Sequence, residues 1–128
     1  MQYYFTKKIT GSFNGIIQKV TTALKEEGFG ILTVIDLKET LKKKLDVDLY
    51  NYTILGACNP PFAYKALMAE DKIGVMLPCN VIIQEKEEGE IEVSAVDPAA
   101  SMKSVENEEL HGIAIEISDR LQKVIDGL

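Results

Sequence analysis

Residues 56–81 read GACNPPFAYKALMAEDKIGVMLPCNV. An apolar run narrows to Gly56, Ala57 and Cys58 and stops at Asn59-Pro60-Pro61, because neither proline offers an N–H to a strand ladder. Asn59 is placed to cap a following helix, with a proline in its first turn, and Pro61 holds Pro60 in extended geometry. Phe62 to Glu70 has the spacing of that short helix. Val75 to Glu85 then alternates as a strand, with Leu77, Cys79, Val81 and Ile83 on one face and Asn80, Ile82 and Gln84 on the other. Pro78 inside it implies an edge position, a bulge or an irregular start. Two strands flank one short helix, and each carries a Cys-Asn unit.

Upstream, Leu49 to Cys58 alternates as a strand, Asn51, Thr53, Leu55 and Ala57 against Tyr50, Tyr52, Ile54, Gly56 and Cys58. Before it, Leu37, Leu41 and Leu45 repeat every four residues in a lysine-rich segment, which predicts a short amphipathic helix. Ile31 to Asp36 is rich in β-branched residues and predicts a strand. Ser12 caps a helix whose stripe is Phe13, Ile16, Ile17, Val20, Ala23 and Leu24. Gly28 suits its left-handed C-terminal cap, with Phe29 folding back. Met1 to Ile9 alternates as the first strand. Downstream, EKEEGE at 85–90 is an acidic hairpin turn with Gly89 at a positive φ, and Ile91 to Val96 is its second strand. Asp97-Pro98 ends that strand and 99–104 is a loose or single helical turn. Asn107 caps a last helix running to about Ile125, with Leu110, Ile113, Ala114, Ile117, Leu121, Val124 and Ile125 as its stripe.

The order is strand, helix, four strands, helix, with short helical insertions around the third strand. It predicts an α+β two-layer sandwich: a largely antiparallel sheet with two main helices on one face. Residues 1–128 form a single domain without linker or repeat. Which strand alternation lies under the helices is open. Tyr50, Tyr52, Ile54 and Ile82 occupy the other face if the opposite set is inside. Either choice leaves that second face apolar, which suggests a homodimer through the sheet face or edge.

The chain carries 20 Asp and Glu against 14 Lys and Arg, for a net charge of −6, and Arg120 is its only arginine. That balance opposes nucleic-acid and anionic-membrane surfaces, which recruit basic faces. No run approaches a membrane span and the N-terminus has no signal-peptide core, so the expected location is cytoplasmic. The two cysteines form no CxxC and are too few for a secreted disulfide framework. With His111 and Asp97 as the only companions for Cys58 and Cys79, no zinc spacing exists and no metal is expected. The Gly28-Phe29-Gly30 stretch matches no phosphate-binding loop. A single histidine near a helix start gives no triad, and no cofactor is indicated.

The remaining chemistry belongs to the Cys-Asn units. Cys58 and Cys79 either pack as small hydrophobes or form a thiol pair for redox or catalytic work, helped by the helix start beside Cys58. Asn59 and Asn80 either satisfy backbone groups or line a ligand groove with Tyr64, Lys65 and Asp97. The candidate ligand-binding set is therefore Cys58, Asn59, Tyr64, Cys79, Asn80 and Asp97, and no catalytic residue is assigned. The reading favoured is a small-molecule-binding or interaction module acting as a homodimer. The alternative is a thiol-dependent redox or catalytic protein.

GACNPPFAYKAL, IGVMLPCNV and VSAVDP, in this order, resemble the family catalogued as domain of unknown function number 302. The helix from Ser12 to Gly28 and the strand after it resemble the same family, so nearly the whole chain is covered. The resemblance implies a fold similar to one half of the TATA-binding protein, without implying DNA binding. It also implies a small, soluble bacterial or archaeal protein, often dimeric. Its signature falls on Gly56, Cys58, Asn59, Pro60, Ala66, Leu67, Leu77, Pro78, Cys79, Asn80, Asp97 and Pro98. The family's biochemical activity is not established.

Overall fold

A computed structural model describes residues 2–128; Met1, the start of the expected first strand, lies outside them. The elements are β1 (Tyr4–Thr10), α1 (Phe13–Glu26), β2 (Gly30–Asp36), α2 (Leu37–Leu45), β3 (Asn51–Cys58), α3 (Pro60–Ala69), a 3-10 helix (Asp71–Met76), β4 (Cys79–Glu87), β5 (Glu90–Val96), α4 (Pro98–Ser101) and α5 (Glu108–Asp126). This is the α+β sandwich with short helical insertions that the residue pattern predicts. The five strands form one sheet in the order β1-β5-β4-β3-β2, and every neighbouring pair is antiparallel. β1 and β2 are the two edges, and α1 crosses behind the sheet to join them.

The register settles which alternation faces the helices. Leu55 and Ala57 of β3, Val81 and Ile83 of β4, and Ile91, Val93 and Ala95 of β5 are all buried against Ile16, Val20 and Leu24 of α1 and Ile117, Leu121 and Val124 of α5. The reason is volume and polarity. That set is uniformly aliphatic, whereas the other set interleaves Tyr52, Gln84, Glu92 and Ser94 with Ile54 and Ile82. Among the described residues, no main helix covers this second face.

Local signals explain the helix ends. Ser12 accepts a hydrogen bond from the Gly15 N–H at 3.1 Å and Asn107 accepts from the Leu110 N–H at 3.1 Å. At the end of α1, Gly28 takes φ 88°. Its N–H donates to the Lys25 carbonyl at 3.0 Å and that of Phe29 to the Leu24 carbonyl at 2.9 Å, a glycine-terminated helix end that folds Phe29 into the core.

Two expectations fail. Val75 to Pro78 is not strand: residues 71–76 wind into a 3-10 helix and β4 begins at Cys79. The Leu77–Pro78 peptide is cis, and Pro78 has no N–H to pair, so the central ladder starts only beyond it. The proline thus marks an irregular start and not an edge. Pro60, expected to be extended, opens α3 as its first residue with Pro61 second, positions whose N–H groups have no intrahelical partner in any helix.

Candidate functional site

A second, smaller apolar cluster sits beside the main core: Ala66 of α3, Ile73 of the 3-10 helix, Met102, and Leu110 and Ala114 of α5. Between the two clusters lies a cavity of about 320 Å³. Its sheet wall is Ala57, Cys58, Pro78 and Cys79; α3 supplies Ala63, Ala66 and Leu67; α5 supplies Leu110, Ile113, Ala114 and Ile117. Phe29, Leu32, Asn59, Leu77 and Met102 complete the lining. It contains no charged side chain. The exposed Leu32 and Leu67 mark where it meets solvent.

Local sequence explains the wall. β3 and β4 pair so that Ala57 stands opposite Cys79, and both strands taper to small residues at this end, which keeps the space between sheet and helices open. Gly56 is required by the close approach of Thr33 and Pro78. A Cβ there would lie 2.3 Å from Thr33 Oγ1 and 2.9 Å from Pro78 Cγ.

Of the six candidate residues, the structure brings Cys58, Asn59 and Cys79 to one cavity. Cys58 is half-buried and Cys79 buried, both as free thiols. Burial, and then the nearby Cys58, push the Cys79 thiol up to about 11, so at neutral pH it is protonated and a poor nucleophile. Asn59 does not cap α3 with its side chain. Its Nδ2 donates 3.3 Å to the Glu27 carbonyl instead, which also accepts from Arg120 Nη1 at 3.3 Å. Asn59 therefore closes the C-terminus of α1, a contact made across 32 residues of sequence and invisible to local pattern.

Tyr64, Asn80 and Asp97 are elsewhere. Tyr64 is exposed on the outer side of α3. Asn80 alternates away from Cys79 onto the uncovered sheet face. Asp97 caps α4 through the Ala99 N–H at 3.0 Å and accepts the Ser118 hydroxyl at 2.7 Å, pinning the β5 end to α5. Lys65 is not in the cavity wall either; its Nζ lies over the Phe62 ring at 5.5 Å, with Arg120 over the same ring at 5.1 Å. His111 Nε2 is bonded to the Val105 carbonyl. Among the described residues no group of three or more His, Cys, Asp or Glu side chains is placed to hold a metal ion.

Sequence reading did not single out Met102, Leu77 or the α5 residues as lining. The α5 residues did appear in the apolar stripe of the last helix, whose N-terminal turns face the cavity and whose C-terminal turns face the sheet.

The sequence profile described as "Domain of unknown function DUF302" matches residues 5–128. The chain belongs to the DUF302 family. This DUF302 domain is also similar to a solved structure described as an uncharacterized conserved protein DUF302 from Bacillus stearothermophilus, with 28% sequence identity, a TM-score of 0.90 and 98% of each chain covered. No curated protein matches it. Among the described residues of the DUF302 domain, no helix is long and apolar enough to cross a membrane.

Proposed function

We propose that this DUF302 domain is a binding protein for a small, largely apolar molecule held in the cavity between α3, α5 and the β3–β4 end of the sheet. The observation that carries the reading is the cavity itself. Its volume of about 320 Å³ lies at the lower end of the range for small-molecule sites, and it combines an apolar wall with few polar groups. Cys58 and Asn59 are the polar contacts, and Cys79 enters as a thiol wall, since burial opposes the thiolate that a redox or catalytic role needs. The test is thermal unfolding with naphthalene and n-octanol as probes. Binding raises the midpoint and shields Cys58 from iodoacetamide. Ala63→Phe, at the half-buried flank of the cavity, stays folded and loses both effects. No rise with either probe, or an unchanged rise in the variant, counts against the reading.

We also infer a homodimer, through the β2 edge. Leu32, Val34 and Ile35 of that strand are 63%, 64% and 42% exposed, and Leu45 and Val47 after α2 are exposed as well. An apolar edge strand with an unpaired backbone row is a template for a second copy. Antiparallel pairing of β2 with its copy would bury this strip in both.

A further inference from the structure

The sheet face that α1 and α5 leave uncovered holds a second cavity, of about 390 Å³, lined by Tyr3, Tyr4, Asn80, Ile82, Gln84, Glu92, Ser94, Ala95 and Val96. The strand register lays it out as a trough. Tyr4 stands opposite Val96 at one end, Ser94 and Ile82 pair in the middle, and Gln84 and Glu92 pair at the other end. The ends lie four strand steps apart along β5, roughly 14 Å at strand rise.

The middle and far end present acceptors. Ser94 and Gln84 are 7% and 8% exposed, buried polar side chains on a face that no main helix covers. Thr6 Oγ1 donates to the Val93 carbonyl at 3.3 Å, so the Ser94 hydroxyl, 2.9 Å from it, donates to Thr6 and keeps its own lone pairs. Gln84 Nε2 donates to the Tyr50 hydroxyl at 3.0 Å, which leaves Oε1 as an acceptor. Beside it stands Glu92, a half-buried residue. Lys8 is its cross-strand neighbour and Lys86 stands at the same end with Glu87 and Glu90, yet among the described residues no cation lies within 4.0 Å of the Glu92 carboxylate. At the near end the Tyr3 and Tyr4 rings meet edge to face, 5.0 Å apart at 72°, forming two walls of a corner. The Asp97 N–H, donating 2.7 Å to the Tyr3 carbonyl, fixes the backbone there.

An acceptor-lined carboxylate end, an aliphatic floor at Ile82 and an aromatic corner match one ligand shape. We propose that this trough binds an elongated organic amine, its ammonium between Glu92 and Gln84 and an aromatic tail against Tyr3 and Tyr4. The net charge of −6 favours the approach of such a cation. The site is separate from the cavity behind the sheet, so each reading stands or falls without the other.

The experiment titrates the protein at low salt with 4-phenylbutylamine, 4-phenylbutanol and 4-phenylbutanoate, following amide shifts by NMR. The amine is expected to bind more tightly than the alcohol, the carboxylate to bind least, and the shifts to centre on Ile82, Gln84 and Ser94. Glu92→Gln should weaken the amine by about tenfold or more and leave the alcohol unchanged. Tyr3→Ala, at an exposed position, should weaken all three and provides a second variant if Glu92→Gln disturbs the sheet. The proposal is overturned if the amine does not bind at millimolar concentration, if the carboxylate binds equally well, if Glu92→Gln retains full affinity for the amine while folded, or if the shifts fall on Cys79 and Met102.

Discussion

At the scale of single residues, Cys79 carries the clearest consequence. Burial, and then Cys58, push its thiol up from the ordinary 9.0 to about 11 by disfavouring the thiolate. The folded state therefore holds this proton more tightly than the unfolded chain. The stabilisation is fully present below pH 9 and is lost as pH rises from 9 toward 11. Two pK units correspond to about 2–3 kcal/mol. Urea unfolding of the wild type should therefore show stability falling across this window more steeply than in Cys79→Ala, in which the lysines still titrate but the thiol is absent. Parallel slopes would remove Cys79 as the cause. Asn59 makes a different point at the same scale. An asparagine before two prolines has the local form of an N-cap, but its side chain makes no cap bond to α3 and instead donates to the Glu27 carbonyl at the end of α1.

At the scale of elements, the join between α3 and α5 controls the apolar cavity. Asn107 caps α5 through the Leu110 N–H and donates Nδ2 to the Ala69 carbonyl at the end of α3, at 2.8 Å. One side chain thus serves the start of one helix and the end of another. Asn107→Ala should cost about 1–2 kcal/mol from the cap alone. Because this contact joins the end of α3 to the start of α5, hydrogen exchange should accelerate in α3 and the 3-10 helix before it does in β4 or β5. Uniform acceleration across the sheet would argue against this local tie. Asp97 works in the same way at the opposite end of that connection. It joins α4 to Ser118 in the middle of α5, so the short turn between β5 and α5 is fixed at both ends and Met102 is held over the cavity.

At the scale of the whole molecule, the two sheet edges differ. β1 carries Lys7, whose Nζ donates to the Asp126 and Leu128 carbonyls and ties the strand to the end of α5. β2 instead exposes Leu32, Val34 and Ile35. If copies pair through β2, Val34→Lys places like charges at the joint and removes apolar area. Light scattering of that variant should show a monomer where the wild type shows a dimer. A wild-type monomer at high micromolar concentration, or a dimeric variant, would exclude the edge as the contact. Leu32 also lines the apolar cavity, so loss of pairing should change ligand affinity there.

The sequence by itself determined the fold class and most of the elements, though not the 3-10 helix that stands where the start of a strand was expected. Helical stripes, Ser12 and Asn107 as caps, Gly28 as a stop, Gly89 in the hairpin and strict alternation in β3 to β5 are local signals, and local physics reads them correctly. The family signature in the Gly56 to Val81 stretch was equally legible. Only the tertiary structure decided which alternation was inside, because Leu55 and Tyr52 are both acceptable in a strand and the choice depends on which set fills the space beneath α1 and α5. Tertiary structure alone also separated the candidate residues. Cys58, Asn59 and Cys79 converge because β3 and β4 pair at their tapered ends, while Asn80, one residue on, is carried by the pleat to the opposite face. Tyr64 lies within that stretch and Asp97 is itself a signature position, yet neither is in that cavity. Adjacency along a chain is set by bonds, whereas a site is set by packing between elements distant in sequence, and no local pattern encodes that.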